Sequence, residues 1–183
     1  MNSTFQIEHN RLFNELKEAL KYDIAKITGK ANGGRSILFV YPPIDDDAYI
    51  AKAHEELQGN YVFLDIRSLF TKFISEMGIN TFKKNYNNFG SEVFSSDNFP
   101  EESFLHAIIQ KLKSIYNDGN IPVLTHTGAL YGMNFSNINI MEHPIVIGAS
   151  VPLMVFYPAT IDKDNINFLD KQIASKYRCI VIK

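Results

Sequence analysis

The chain has 183 residues, 45% of them hydrophobic and 21% charged, which is enough for one globular domain with a proper core and excludes intrinsic disorder. Its formal net charge of −2 gives no electrostatic case for binding the phosphate backbone of a nucleic acid. The single cysteine, Cys179, excludes an internal disulfide, and the chain shows neither a membrane-spanning run nor a secretory signal, so we expect a cytoplasmic protein.

The chain opens with a helical pattern and continues into a short buried strand. Apolar residues recur every three or four positions over 12–27, which predicts an amphipathic helix with Ser3 or Thr4 as a possible N-cap and Gly29 as its stop. The apolar run 36–41, between glycines and prolines, predicts a strand that is buried on both faces.

Strands and amphipathic helices then alternate to the end of the chain. The further elements expected are helices at 45–58, 66–77 and 104–116 and strands at 61–64, 121–125, 152–157 and 178–182. This alternation predicts βαβ crossovers and a mostly parallel sheet with helices on both faces. We therefore expect a single α/β domain over 1–183, a three-layer sandwich with a sheet of about five strands and a P-loop-like or Rossmann-like topology that lacks a phosphate-binding loop.

Residues 79–100 interrupt this alternation, because they are rich in Asn, Ser and Phe and show no clear period. The segment is a lid, a partner surface or an unrecognised helix. Its aromatic residues could stack on single-stranded nucleic acid, but the only basic residues among them are Lys83 and Lys84. We therefore favour packing against the domain or against a protein partner, with Phe89 and Phe94 as candidate contact residues.

The loop after the first strand is the first place to search for a ligand, because α/β sheets bind ligands beyond the carboxyl ends of their strands. Residues 42–47 contain neither the glycines nor the lysine of a phosphate-binding loop, and Asp45, Asp46 and Asp47 would repel a phosphate there. We interpret these carboxylates as an acidic helix N-terminus. The alternative is a Mg²⁺ site that uses two of them.

Two further polar residues follow predicted strands. Asp65 ends the second strand and is either the N-cap of the next helix, which we favour, or a catalytic or ribose-binding carboxylate. His126 follows the third strand and is either structural or a general base, with Thr125 and Thr127 as hydrogen-bonding neighbours. The five histidines show no zinc spacing and no Gly-x-Ser-x-Gly elbow is present, so we expect no metal, no cofactor and no catalytic residues.

Three motifs in the last third of the chain resemble the BrxB family, a small accessory component of bacterial BREX (bacteriophage exclusion) defence systems. They are the segment Thr125–Tyr131, the strand Val151–Pro158 with its Phe-Tyr-Pro ending, and Tyr177-Arg178 before the final strand. The first half agrees more loosely, in a first strand that ends Tyr41-Pro42 and a second strand that ends Leu64-Asp65.

The chain also departs from the family pattern. His126 and Ala159 stand where the family has glycine, Gly132 where it usually has proline, and Lys176 at the first tyrosine of the closing pair. Residues 134–137 replace a segment in which the family has an arginine. Whatever that arginine does is therefore in question for this chain.

The resemblance implies a non-catalytic α/β subunit that binds other proteins of its defence system, notably an alkaline-phosphatase-like PglZ protein. The candidate interaction surface comprises Asp45, Asp46, Asp47, Asp65, Thr125, His126, Thr127, Tyr131, Phe89 and Phe94. The alternative hypothesis is a small cytosolic enzyme that acts on a phosphorylated or nucleotide-like substrate through Asp65 and His126. The distance between these two side chains separates the hypotheses, because the enzyme requires them in one pocket.

Overall fold

The computed structural model describes residues 3–97, 100–163, 165–174 and 177–183. Phe99 and Lys176, and the side chains of the possible N-cap residues Ser3 and Thr4, lie outside the described part. The helices are α1 (Ser3–Leu20), α2 (Ile24–Lys30), α3 (Asp46–Glu56), α4 (Ile66–Met77), α5 (Ile79–Phe89), α6 (Phe104–Asn117), α7 (Asn137–Met141) and α8 (Pro144–Ile147). The strands are β1 (Ser36–Tyr41), β2 (Tyr61–Asp65), β3 (Ile121–Thr125), β4 (Leu153–Asp162), β5 (Asn165–Phe168), β6 (Gln172–Ile173) and β7 (Cys179–Ile182). Among the described helices, none combines the length and the apolar character needed to cross a membrane.

Five parallel strands form the centre of the domain in the order β2-β3-β4-β1-β7, which confirms the expected α/β fold class. Every residue of β1 is buried, and β1 pairs with β4 from Ser36–Leu153 to Tyr41–Pro158. A strand buried on both faces needs a cover on each side. Helices α1–α3 pack on one face and α4–α8 on the other, which gives the three layers.

The position of the first strand departs from one of the two topologies expected. β1 lies between β4 and β7, whereas in the Rossmann order the first strand lies between the second and the fourth. The pattern of alternating strands and helices predicts a parallel sheet but does not fix which strands are neighbours.

The first helical stretch is divided, and the single helix expected over 12–27 is therefore wrong. α1 ends at Leu20 and α2 begins at Ile24. The division occurs because the Asp23 carboxylate accepts a hydrogen bond from the Lys26 amide at 2.8 Å and so caps a new helix.

The aromatic segment 79–100 contains the unrecognised helix that was one of its three interpretations. α5 follows α4 directly after Gly78, whose φ of +81° lets the chain change direction there. Phe82 of α5 packs against Phe70 of α4, with 6.3 Å between the ring centroids. The apolar residues of α5 do recur at helical spacing, at Ile79, Phe82, Tyr86 and Phe89, but they are few among Asn and Lys residues, and none of them is fully buried.

The strand expected over 152–157 is longer than its apolar run. β4 continues to Asp162, and the chain then turns back as β5, which pairs antiparallel with β4 from Ala159–Phe168 to Asp162–Asn165. The short strand β6 pairs with β5 in turn. Strands β5 and β6 contain mostly polar or half-exposed residues, so they lack the hydrophobic pattern that predicts a buried strand.

The chain before β1 passes so close to the chain before β7 that glycine is required. A Cβ atom on Gly34 would lie 1.7 Å from the carbonyl oxygen of Arg178, a backbone atom that cannot rotate away. The Arg178 side chain is itself held by an ion pair with Glu142. Because β1 begins to pair with β7 at Ser36 and Cys179, this close approach sets the position of the edge strand.

Replacing Gly34 by alanine is therefore expected to lower the free energy of unfolding by about 3 kcal/mol, since the added methyl group must displace backbone. Urea denaturation of the purified variant measures this loss. Gly29→Ala is the matched control, because a Cβ at Gly29 meets no atom within 4 Å. Alanine in the helix α2 should stabilise the protein by up to about 1 kcal/mol. Equal stability of the two variants would contradict the requirement at Gly34.

Candidate functional site

The carboxyl ends of β1, β2 and β3 bring most of the predicted polar residues to one edge of the sheet. After β1 the chain makes a 3-10 turn over Pro43–Asp45 and enters α3 at Asp46. Asp65 is the last residue of β2, and His126 directly follows β3. Because β2 and β3 are neighbours in register, with Asp65 opposite Thr125, their two loops lie side by side.

The imidazole of His126 lies at the centre of this edge and is only 11% exposed. Its Nδ1 atom lies 3.1 Å from Oδ2 of Asp65, and its Nε2 atom lies 3.4 Å from Oδ1 of Asp47. The distance that separates the two functional hypotheses is therefore short. Although the two atoms are this close, Nδ1 makes no hydrogen bond with suitable angles to any described residue. The Asp65 contact is consequently electrostatic, with the carboxylate beside the ring.

Arg67 is the member of this group that the sequence did not reveal. Its Nη2 atom lies 2.9 Å from Nε2 of His126 and 4.0 Å from Oδ2 of Asp65. Arginine can only donate, so this contact requires Nε2 of His126 to accept and places the imidazole proton on Nδ1, facing Asp65. An arginine in the first turn of a helix carries no motif, which is why the sequence pattern does not identify it. We call Asp46, Asp47, Asp65, Arg67 and His126 the His126 cluster.

The backbone at His126 has a φ of +50°, in the left-handed region that a bulky side chain seldom adopts. Such a conformation persists only where the surrounding structure compensates for its cost. Here the contacts with Asp65 and Arg67 hold the ring in place. The loop after β3 is thus tied to the residues that follow β2.

Asp46 contributes to the cluster through a buried partner. The hydroxyl of Tyr41, at the end of β1, donates a hydrogen bond of 2.5 Å to Oδ1 of Asp46. Burial and this carboxylate both raise the pKa of Tyr41 above its usual range. Oδ2 of the same carboxylate lies 4.0 Å from Nε2 of His126. Asp45 is the N-cap residue of α3, but its side chain makes no capping hydrogen bond.

Three members of the cluster have the chemistry of a metal site. One ligand atom from each of Asp46, Asp47 and His126 lies within 4.8 Å of the others, and carboxylate oxygen with imidazole nitrogen suits a divalent transition metal. The guanidinium of Arg67, however, already uses Nε2 of His126. A cation bound there would require Arg67 to move, because the two positive charges would compete for the same nitrogen.

Asp65 is the N-cap of α4, as favoured from the sequence. Its carboxylate accepts hydrogen bonds from the amide and from the hydroxyl of Ser68, at 3.1 Å and 3.0 Å. Burial alone would raise the pKa of Asp65, but these hydrogen bonds, the facing imidazole of His126 and the positive charge of Arg67 outweigh it and lower the pKa. The folded state therefore favours an ionised Asp65.

Three of the proposed contact residues are buried and cannot reach a partner, which corrects their assignment to the surface. Thr125 is 1% exposed and Thr127 is fully buried, and the Thr127 hydroxyl donates a hydrogen bond of 2.7 Å to the carbonyl of Phe156. Phe94 is 9% exposed and packs 5.9 Å from the ring of Tyr86. Their side chains pack or form hydrogen bonds inside the domain and so stabilise the fold.

Two other proposed contact residues are accessible. Tyr131 is 51% exposed at the end of the loop after β3, and Phe89 is 48% exposed at the end of α5. Ile79 and Tyr86, also on α5, are exposed to a similar extent. These residues lie on the α4–α8 side of the sheet.

A cavity of about 260 Å³ opens beside Tyr131, between the segment 130–139 and the β5–β6 hairpin. Tyr157 of β4 and Tyr177 form part of its wall, and their hydroxyl oxygens lie 2.9 Å apart in a hydrogen bond. We call it the tyrosine cavity. Among the described residues that line it, none belongs to the His126 cluster.

Comparison with known proteins gives no relative, since no protein-family profile, curated protein or solved structure matches this chain.

Asp65→Ala is expected to destabilise the protein by about 1–2 kcal/mol, since α4 loses its cap. Asp65→Asn should retain most of that stability, because asparagine caps a helix about as well. The wild-type carboxylate has a lowered pKa, so its contribution is present above the unfolded value of about 3.9 and is lost as the pH falls through the folded value. Urea midpoints of wild type and Asp65→Asn should therefore converge below about pH 4. A difference that grows in acid would contradict this role.

Proposed function

We propose that this chain is a non-catalytic protein-interaction subunit of a BREX-type phage-defence complex in the bacterial cytoplasm, with a PglZ-like, alkaline-phosphatase-fold protein as its partner. The observation that carries the proposal is that three separate motifs of the chain meet at one cavity. Each of the three motifs that resemble the BrxB family contributes one tyrosine to the tyrosine cavity, namely Tyr131, Tyr157 and Tyr177. These residues are far apart in the chain, so a purely local structural role does not explain why they meet.

The backbone of the loop after β3 bears on the resemblance in two ways. His126 stands where the family has glycine, and its φ of +50° is a conformation that favours glycine. This agreement supports the family pattern at that position. Gly132 stands where the family usually has proline, but its φ of +83° is closed to a proline ring. The loop beyond Tyr131 therefore follows a path of its own in this chain.

The loop after β1 supports a function other than nucleotide binding. In phosphate-binding α/β proteins this position offers free backbone amides at the start of a helix. Here Asp46 and Asp47 occupy the first turn of α3. Their charges interact favourably with the helix dipole and repel an anion. The sheet thus keeps the architecture of a ligand-binding fold while its first loop disfavours phosphate.

The accessible apolar residues offer the kind of surface that a protein partner covers. Tyr131 at the mouth of the tyrosine cavity and Tyr86 and Phe89 on α5 are each about half exposed. Aromatic side chains of this kind supply much of the binding energy in protein interfaces. Both groups lie on the α4–α8 side of the sheet.

Co-expression of the tagged chain with a PglZ-like protein from the same genome tests this proposal. We expect the two proteins to elute together in size-exclusion chromatography, and Tyr131→Ala to weaken the complex about tenfold or more by removal of an aromatic anchor. Light scattering gives the mass of the complex, and calorimetric titration gives its affinity.

Ile7→Ala is the matched control, because Ile7 is an exposed apolar residue (70%) on α1, across the sheet from Tyr131. It should bind the partner as the wild type does. A chain that elutes alone in the presence of the PglZ-like protein would refute the proposal. Equal losses in both variants would place the interface elsewhere.

A second candidate function, a small enzyme acting on a phosphorylated or nucleotide-like substrate, is favoured by one specific observation. The distance of 3.1 Å between Asp65 and His126 is within the reach that a carboxylate needs to orient a histidine general base, although the pair makes no hydrogen bond with suitable angles here. A substrate phosphate would draw the guanidinium of Arg67 away from Nε2 of His126, which frees this nitrogen to accept a proton.

If this chain is such an enzyme, His126→Asn should reduce turnover of p-nitrophenyl phosphate in MgCl₂ by about a hundredfold or more, with the circular dichroism spectrum unchanged. Asparagine tolerates the left-handed backbone at this position, so the fold is preserved. His54→Asn, which changes an exposed histidine of α3, should leave turnover as it is. Absence of turnover in the wild-type protein, or full turnover in His126→Asn, would exclude this function.

A further inference from the structure

Three side chains of the His126 cluster face one another across the edge of the sheet. Asp46 and Asp47 belong to the first turn of α3, and His126 follows Asp47 by 79 residues, in the loop after β3. Nε2 of His126 lies 3.4 Å from Oδ1 of Asp47 and 4.0 Å from Oδ2 of Asp46. Metal–ligand bonds of about 2.0–2.2 Å place neighbouring ligand atoms about 3–3.5 Å apart at tetrahedral or octahedral angles. The distance to Asp47 already has this value, and the distance to Asp46 exceeds it by about half an ångström.

The imidazole of His126 has the protonation state that a metal ligand needs. Because Nη2 of Arg67 donates to Nε2 of His126, this nitrogen carries a lone pair and the ring proton lies on Nδ1. A neutral imidazole with one nitrogen free of hydrogen is the form that binds metal ions. The lone pair of Nε2 therefore already faces a positively charged group.

Two of the three side chains are oriented from behind by further residues. On the far side of the imidazole, Oδ2 of Asp65 lies 3.1 Å from Nδ1 of His126. The hydroxyl of Tyr41 donates a hydrogen bond to Oδ1 of Asp46, and Oδ2 of that carboxylate is the oxygen near His126. Metal-binding histidines almost always have a carboxylate, a carbonyl or a water at their second nitrogen. An acidic helix N-terminus that only balances the helix dipole needs neither of these partners.

The side chain of Arg67 occupies Nε2 of His126 but is able to leave it. Arg67 is 61% exposed, and exposed contacts of this kind contribute little to stability because water screens them. A divalent ion brings two positive charges to the carboxylates where Arg67 brings one. Asp47 is 89% exposed, so the outer side of the site is open to water.

We propose that Asp46, Asp47 and His126 form a binding site for a divalent transition-metal ion, and that Arg67 leaves Nε2 of His126 when the ion binds. An imidazole ligand favours Zn²⁺ and similar ions over Mg²⁺ and Ca²⁺, which prefer oxygen ligands. Three protein ligands leave at least one coordination position for water or for another ligand. This site goes beyond the interaction function and does not depend on a partner protein.

Titration of the untagged full-length protein with ZnCl₂ and with MgCl₂ in a calorimeter tests the site. We expect one Zn²⁺ per chain, bound at least about tenfold more tightly than Mg²⁺. In a ¹⁵N–¹H spectrum, substoichiometric Mn²⁺ should broaden the amide resonances of Ala48 and Thr127, which follow two of the ligands, before those of Gly59 and Gly119 at the opposite edge of the sheet. Absence of Zn²⁺ binding, Mg²⁺ binding of equal affinity, or broadening that spares Ala48 and Thr127 would overturn the proposal.

His126→Asn and Asp47→Asn should each weaken Zn²⁺ binding about tenfold or more, since even the loss of an outer partner costs a metal site about that much. Because the Asp47 side chain is exposed, its replacement tests the site independently of any folding defect at His126. His54→Asn, which changes an exposed histidine of α3 outside the cluster, is the matched control and should bind Zn²⁺ as the wild type does. Wild-type affinity in Asp47→Asn, or an equal loss in His54→Asn, would contradict the assignment.

Arg67→Met distinguishes this site from a general attraction of cations to an acidic surface. Removal of the guanidinium frees Nε2 of His126, so this variant should bind Zn²⁺ about fivefold more tightly than the wild type. Lys72→Met is the control, because it removes one exposed positive charge from the same helix and should change the affinity by less than about twofold. Equal affinities of the two variants, or weaker binding by Arg67→Met, would show that Arg67 does not compete with the ion and would refute the proposed exchange.

Discussion

Strands β1 and β4 pair along the whole of β1, and the side chains of this pair are buried on both faces of the sheet. Because neither face can meet water, the chain must supply a helical layer on each side. Alternate residues of β1 enter different cores, with Phe39 among α1–α3 and Val40 among α4–α8. The same alternation in β4 sends Phe156 to the first core and Tyr157 to the second, where it forms part of the tyrosine cavity. The position of the cavity thus follows from the register of the central pair.

The His126 cluster occupies the edge of the sheet at which α/β proteins commonly bind ligands. Asp65 caps α4, Asp46 accepts a hydrogen bond from the hydroxyl of Tyr41, and Arg67 donates a hydrogen bond to the ring of His126. Arg67 and Asp65 hold the ring of His126, so the loops after β2 and β3 are fixed to each other by residues of the chain, whereas Asp47 is 89% exposed. Such a network favours a structural role, because a catalytic group must be free to exchange its hydrogen bonds with a substrate. The 3.1 Å between Asp65 and His126 meets the distance that a general base requires but not its hydrogen-bond angles.

Helices and strands with a clear pattern of buried apolar residues could be predicted from the sequence. Features that depend on a single polar contact or on half-exposed residues could not. The five parallel strands, the helices α4 and α6 and the cap at Asp65 follow from apolar runs and from one carboxylate at a strand end. The break at Asp23 depends on one side-chain hydrogen bond, and β5 and β6 lack a buried face, so neither stands out. Within the site, Asp65 and His126 were identifiable because both follow strands. Arg67 was not, since it acquires its role from a histidine that is distant in sequence.

The two polar sites of the domain differ in one physical respect that bears on binding. In the His126 cluster the imidazole already contacts Arg67 and Asp65, and Asp46 already accepts a hydrogen bond from Tyr41, so a ligand would have to break these contacts before making new ones. At the tyrosine cavity Tyr131 is about half exposed, and none of the described lining residues is charged, so a partner that packs there meets no described ion pair that it must break. Accessible aromatic rings are therefore a better anchor for a partner than the charged side chains at the sheet edge, which already contact one another.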